Sequence, residues 1–219
     1  MHSSSVVSQD ANLKEDRAEV LARNIVSRET TDKLDRLVEL TLQWQRSINL
    51  IAPSTVSHIW TRHIEDGLWL DHVAGRQSLW VDIGSGGGFP GLVLAITASA
   101  NPGTKVAMIE SNAKKCAFLR TVVRELALPA EVHCQRIESS AAVVEAATAV
   151  SARALASLPD LLNLVAPNLN KEAVCYFFKG RAHQQEIDEA SANWRFSMVK
   201  HSSTVEVDSV ILELRSVEA

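Results

Sequence analysis

Four glycines, Gly84, Gly86, Gly87 and Gly88, fall within five residues directly after the apolar run Leu79–Ile83, and Asp82 interrupts that run just before them. Such a cluster lets the backbone take positive φ and lets a ligand approach where Cβ atoms would block it. The spacing Gly86-x-Gly88-x-x-Gly91 satisfies the dinucleotide fingerprint, and Glu110 lies about twenty residues further on, as that pattern requires. A carboxylate there can accept both hydroxyls of a ribose. Asp82 argues for a different ligand, because its charge would repel a pyrophosphate at short range and attract a cationic group. The residues imply a nucleotide-like ligand and leave open whether it carries phosphates or a positive charge.

The elements that must position these residues follow from periodicity. Leu79–Ile83 predicts a strand, the glycines a tight turn, and Pro90 the first turn of a helix. From there strands and helices alternate, which predicts a parallel sheet with crossovers. Further strands are expected at 105–109, ending at Glu110, and at 131–135, 149–151 and 173–178. Helices are expected at 112–127 and 155–169, and after Gly180. The segments 196–201 and 205–214, joined by Ser202-Ser203-Thr204, read as a closing hairpin that ends the sheet in an antiparallel strand. Upstream, 11–27 suggests a charged amphipathic helix. Thr30 or Thr31 can cap a second helix with Leu34, Leu37, Val38, Trp44 and Ile48 on one face. Pro53 and Ser54 start a third, on which Arg62, His63 and Asp66 read as an ordinary solvated face. The expected organisation is a disordered lead-in at 1–10, a helical extension at 11–75 and an α/β domain at 76–219.

Composition narrows the class. The chain has 219 residues, 46% of them apolar, and a formal net charge of −4, which argues against a surface that is basic throughout but permits a local basic patch. No apolar run reaches the roughly 18 residues that span a bilayer, so no membrane insertion is expected. The opening residues lack the basic start and apolar centre of a secretory signal. Cys116, Cys134 and Cys175 are odd in number and widely spaced, matching no disulfide framework or metal site and suiting a reducing cytoplasm.

The pattern Asp82-x-Gly84-x-Gly86-x-Gly88 resembles the first motif of class I (Rossmann-like) methyltransferases, whose acidic residue and glycines face the methionine part of S-adenosylmethionine. A wider resemblance runs from residue 49 to 180. It rests on Asn49-Leu50, Arg62-His63 and Asp66, the glycine loop with Phe89-Pro90-Gly91, and Glu110-Ser111. It continues through Lys114-Lys115, Phe118-Leu119-Arg120, Arg136-Ile137-Glu138, Arg153-Ala154 with Ala156-Ser157-Leu158, and Lys179-Gly180. In that order they resemble the bacterial 16S ribosomal RNA small-subunit guanine-N7 methyltransferases, also called glucose-inhibited division protein B. One departure is Ser151-Ala152-Arg153, with an extra alanine where the family has Ser-Arg-Ala.

That resemblance implies that Gly84, Phe89, Ile137, Glu138 and Arg153 contact S-adenosylmethionine. The charge argument adds Asp82 and Glu110, and the loop pattern adds Gly86 and Gly88. It implies a target guanine in 16S ribosomal RNA, guanosine 527 in the 530 loop, acted on in a 30S particle or assembly precursor by a cytoplasmic monomer. Guanine N7 carries a lone pair and no proton, so no general base is expected, and alignment carries the catalysis. Arg62, His63, Arg153 and Lys179 are candidates for a cation near O6. Arg46, Lys114, Lys115 and Arg181 join Arg62 as candidates to neutralise RNA phosphates. A methyltransferase of small molecules or proteins, a non-catalytic nucleotide-binding regulator and a dehydrogenase are the rival expectations.

Overall fold

The change from helical to strand periodicity is visible in three dimensions. The computed structural model describes residues 2–203 and 208–219. It begins with α1 (His2–Arg23) and α2 (Arg28–Gln45), then a 3-10 turn (Pro53–His58), one wide π-helical turn (Trp60–Ile64) and α3 (Glu65–Ala74). There follow β1 (Leu79–Ile83), α4 (Gly91–Ser99), β2 (Lys105–Glu110), α5 (Ala113–Glu125), β3 (Ala130–Cys134), α6 (Ala141–Glu145) and β4 (Ala149–Arg153). The chain closes with α7 (Leu158–Val165), β5 (Val174–Lys179), α8 (His183–Ala190), β6 (Arg195–Ser202) and β7 (Val210–Glu218).

The sheet order is β3-β2-β1-β4-β5-β7-β6. Strands β1 to β5 run parallel, while β7 is antiparallel to both β5 and β6. This is the mostly parallel sheet with an antiparallel closure that the alternation predicted. Successive residues of a strand point to opposite faces, so Trp80 joins the core on one side of β1 and Val81 the core on the other. The second core is roofed by α6 to α8 through Val144, Leu158, Leu161, Leu162 and Ile187. The first holds Met108 and Tyr176 from the sheet together with Val20, Leu34, Leu37, Trp60 and Ile64 from the helical extension. Gly75 therefore marks a change of secondary structure; among the described residues the extension shares its core with the sheet.

Several boundaries differ from those expected. Helix α1 begins at His2, so the lead-in predicted as disordered is helical from there, and Met1 lies outside the described residues. Ser27, not Thr30 or Thr31, caps α2: its backbone is extended and its hydroxyl accepts the Thr30 amide at 3.1 Å. Ser157 caps α7 in the same way, which shortens the helix expected at 155–169. Residues 204–207, where the sequence places the hairpin turn and the start of the last strand, lie outside the described residues; β7 is seen from Val210.

The third helix is three pieces because a distant carboxylate competes for its amides. Asp16 on α1 accepts the amides of Trp60 at 2.8 Å and Thr61 at 3.2 Å, together with the Thr61 hydroxyl. Those donors then need no carbonyl four residues back, and the helix widens at that turn. Arg23 grips Glu65 through two bonds of 2.8 Å, and the Arg17 guanidinium lies 5.6 Å over the Trp60 ring while binding Asp35. Helix α1 thus fixes the turn that carries Arg62 and His63. Replacing Asp16 with Ala should lower stability by about 1–2 kcal/mol, the worth of a lost cap. Thermal unfolding checks this, and a melting temperature equal to that of the parent would contradict it.

Candidate functional site

At the carboxyl ends of β1, β2 and β4, where open α/β sheets bind ligands, lies a cavity of about 550 Å³. Its floor is the glycine loop, where Gly84 and Gly86 take φ of 63° and 55°. Glu110, at the tip of β2, accepts the Gly86 amide on Oε2 at 2.9 Å and the Asn112 amide on Oε1 at 2.7 Å. Each oxygen retains a lone pair, so the carboxylate braces the loop and can still accept a diol from the cavity it lines. Asn112 caps α5 by accepting the amides of Lys114 and Lys115, which sets Lys115 at the cavity wall.

The predicted residues divide into two groups. Gly84, Gly86, Phe89, Glu110, Ile137, Glu138 and Arg153 all line the cavity. Asp82 and Gly88 do not. Asp82 is 1% exposed; Oδ1 accepts the Ser151 hydroxyl at 2.7 Å, and Oδ2 lies beneath the start of α4. A Cβ on Gly91 would stand 2.7 Å from that oxygen, so glycine is required for the helix to approach it. Burial raises the Asp82 carboxyl to about 6. Asp82 is a brace between β1, β4 and α4, and the expectation that its charge meets the ligand is corrected. Gly88, at φ 89°, turns the chain behind the loop, with Leu92 and Leu119 against it.

Arg153, at the end of β4, joins the sheet to the extension. It donates to the Arg62 carbonyl and, at 2.7 Å, to His63 Nδ1, and it pairs with Asp66 at 3.2 Å. A guanidinium only donates, so Nδ1 must be the acceptor and the His63 proton sits on Nε2. That nitrogen donates to Thr55 Oγ1 at 2.9 Å, whose own proton goes to the Ala52 carbonyl at 2.9 Å. Burial first, and then the Arg153 charge, lower His63 to about 3. His63 is thus a neutral relay packed 4.9 Å from the Phe89 ring, not the cation expected. Burial raises the Asp66 carboxyl against the opposing pull of Arg153, and it lowers Arg153.

Lys179 lies elsewhere. Its side chain, 5% exposed, donates to the Ala156 carbonyl at 2.6 Å, pairs with Glu186 at 2.8 Å, and borders a second cavity of about 240 Å³. Arg62, Asp66 and Trp69 line that cavity as well, and Arg153 and Ala154 line both. Of the cations expected to meet RNA, Lys115 reaches the first cavity, Arg46 and Lys114 are exposed, and Arg181 is exposed and paired with Asp208 at 3.0 Å.

The extension supplies a wall that spacing did not predict: Leu50, Ile51, Ala52 and Thr55 line the first cavity. Gln45 shapes it, accepting the amides of Leu50 and Ile51 at 2.8 and 3.1 Å and donating to the Ile51 carbonyl at 2.8 Å. The Leu50 carbonyl presses so close that a Cβ on Gly87 would lie 2.5 Å from it. The sequence signal was Asn49-Leu50, which entered only as part of the family resemblance.

Two buried groups give opposite pH dependences. The unfolded chain protonates His63 near 6.5, whereas the folded protein resists until about 3, so the native state loses stability as pH falls below 6.5. Asp82 has the reverse sign: its folded carboxyl holds a proton up to about 6, against 3.8 when unfolded, so it opposes folding as pH rises through that window. The His63 shift is the larger. His63→Gln, which keeps an acceptor for Arg153, should therefore lose less melting temperature than the parent between pH 7 and pH 5. Parallel pH curves for the two proteins would contradict the neutral assignment.

The family model described as "GidB: rRNA small subunit methyltransferase G" matches residues 30–214. A ribosomal RNA small subunit methyltransferase G from Rhizobium meliloti (strain 1021) is 48% identical over 192 residues, covering 86% of this chain and 90% of the relative. Its counterpart from Brucella ovis is 47% identical over 189 residues, covering 86% and 89%. Among solved structures, a putative O-methyltransferase from Klebsiella pneumoniae aligns with a TM-score of 0.57 at 11% identity over 95% of this chain and 99% of that one. A methyltransferase from Geobacter sulfurreducens aligns at 0.56 with 16% identity, over 88% and 98%. The two structures share the fold. The sequence matches, over a span that holds both cavities and the Arg153 junction, establish that the chain belongs to the rRNA small subunit methyltransferase G family.

Proposed function

We propose that the larger cavity holds S-adenosylmethionine and that the chain methylates N7 of guanosine 527 in the 530 loop of 16S ribosomal RNA. The observation that carries this reading is the pairing of two cavities across Arg153: one has a nucleoside-type acceptor at a strand tip, and the other opens beside it. The residues present fit the donor. Glu110 would accept the ribose hydroxyls, and Ile137 with Leu155 would border the base. Gly84, Gly86 and Phe89 would border the methionine part. When bound, the donor supplies an electrophilic methyl group on a sulfonium.

The chain's contribution is positional. N7 carries no proton, so no side chain must remove one, and holding donor and acceptor in line supplies the rate. Attack at N7 leaves the base positively charged, so a cation beside O6, the role considered for Arg62, His63, Arg153 and Lys179, would oppose the reaction. Arg153 serves better as the wall between the cavities, its charge matched by Asp66. Arg46, Arg62, Lys114, Lys115 and Arg181 are proposed to meet RNA phosphates. The working state is a cytoplasmic monomer acting on a 30S particle or its precursor.

Labelled methyl transfer to 16S RNA, naked and in 30S particles, with mapping of the modified base, tests the reaction. Label found only on other positions would refute the target. Glu110→Ala should weaken donor binding in calorimetry about a hundredfold, the loss of two charge-assisted hydrogen bonds, with an unchanged circular dichroism spectrum. Parental affinity would refute the donor site.

A further inference from the structure

Asp66 and Trp69 lie on one face of α3 and both line the smaller cavity, whose volume of about 240 Å³ is on the scale of a single planar base. Trp69 is half-buried, and the His201 ring packs against it at 6.3 Å and 80°. Asp66 is 17% exposed, and its Oδ2 takes the pair with Arg153. Among the described residues this leaves Oδ1 and the second lone pair of Oδ2 to accept from an occupant. Arg153 and Ala154 line both cavities, so an occupant of this one stands one side chain away from an occupant of the other.

A stacking surface beside a carboxylate selects among bases by hydrogen-bond polarity. Guanine presents adjacent donors, N1–H and the exocyclic N2–H, on its Watson–Crick edge. Adenine and cytosine place an acceptor beside their single amino donor, and uracil flanks its one donor with two acceptors. A carboxylate accepts only, so it matches guanine and meets a repelled lone pair on each of the others.

From this juxtaposition we infer that Asp66 and Trp69 form the pocket for the target base: the indole stacks on it, and the Asp66 carboxylate accepts from N1–H and N2–H, so that Asp66 determines the choice of guanine. The inference rests on the methyl-transfer reading above and adds how the target is recognised. Unstacked bases of RNA loops are bound in this manner, by aromatic stacking and contacts to the Watson–Crick edge. With that edge on Asp66, the imidazole edge carrying N7 is turned away from the carboxylate. The reaction forms the N7–carbon bond as the carbon–sulfur bond breaks, the bonding pair leaves on sulfur, and no proton moves. The base passes from neutral to cationic, and N1–H becomes a stronger donor as it does so. Asp66 therefore holds the base more tightly in the transition state than before it.

Inosine isolates the contact, because it lacks only the 2-amino group and keeps N1–H and N7. Single-turnover methylation is compared on 30S particles assembled with 16S RNA bearing guanosine or inosine at the target position. The parent enzyme should favour guanosine about tenfold or more, the worth of one hydrogen bond to a charged group. Asp66→Asn should bring that ratio close to one. Trp69→Ala should slow both RNAs equally, and Trp69→Phe should recover most of the rate. A parental ratio near one would overturn the inference, and so would an Asp66→Asn ratio equal to the parent's; the parent-only comparison decides even if the variants fold poorly. A parent that methylates no guanine in either particle would instead remove the function on which the inference stands.

Discussion

The Arg153 guanidinium is the contact on which the rest of the site depends. It stands half-buried at the end of β4 and reaches 90 positions back in sequence to His63, as well as to the Arg62 carbonyl and Asp66. A charge withdrawn from water is costly when left unpaired. Here each partner comes from the extension. The sheet therefore cannot complete its cavity wall without those helices, and the helices have no core without the sheet. The neutrality of His63 belongs to the same arrangement: a protonated ring would place a second donor and a second charge against Arg153.

This explains how an extension that looks like plain packing comes to bear on the site. Asp16 and Arg23 of α1 hold the wide turn and the start of α3, and that segment presents His63 and Asp66 to Arg153. Gln45 shapes the Leu50–Ile51 bend that rests on Gly87. The contacts are long in sequence and short in space. Each fixes a backbone segment, and the segment fixes the functional atoms.

Legibility in the sequence divided along the same line. The glycine loop, the strand runs and the closing antiparallel pair were readable because their signals are local: positive φ after an apolar run, and periodicity in short windows. Glu110 was readable because a strand tip twenty residues beyond such a loop falls beside it by topology alone. Asp82 was misread because sequence gives a carboxylate's charge but not its depth. Only the structure shows Ser151 and the start of α4 closing over it. The wide turn at Trp60 was invisible because its cause, Asp16, lies 44 residues away on another helix. The Ser27 cap was within reach, since Ser27 precedes Thr30 by the spacing of a capping pair, but two threonines competed for the role.

The two cavities differ in how they can recognise a ligand. The larger offers Glu110, whose oxygens already hold two backbone amides, so its geometry is set before any ligand arrives. An acceptor fixed in this way loses little entropy on binding, which favours a small molecule met at every turnover. The smaller offers an indole and a carboxylate whose partner, Arg153, is itself the partition. Anything that moves Asp66 therefore moves the wall of the donor cavity. A base seated correctly leaves that wall in place; one that presents an acceptor to Asp66 pushes the carboxylate and disturbs Arg153 with it. Selection of the base and alignment of the methyl group then become one event, because one ion pair borders both spaces.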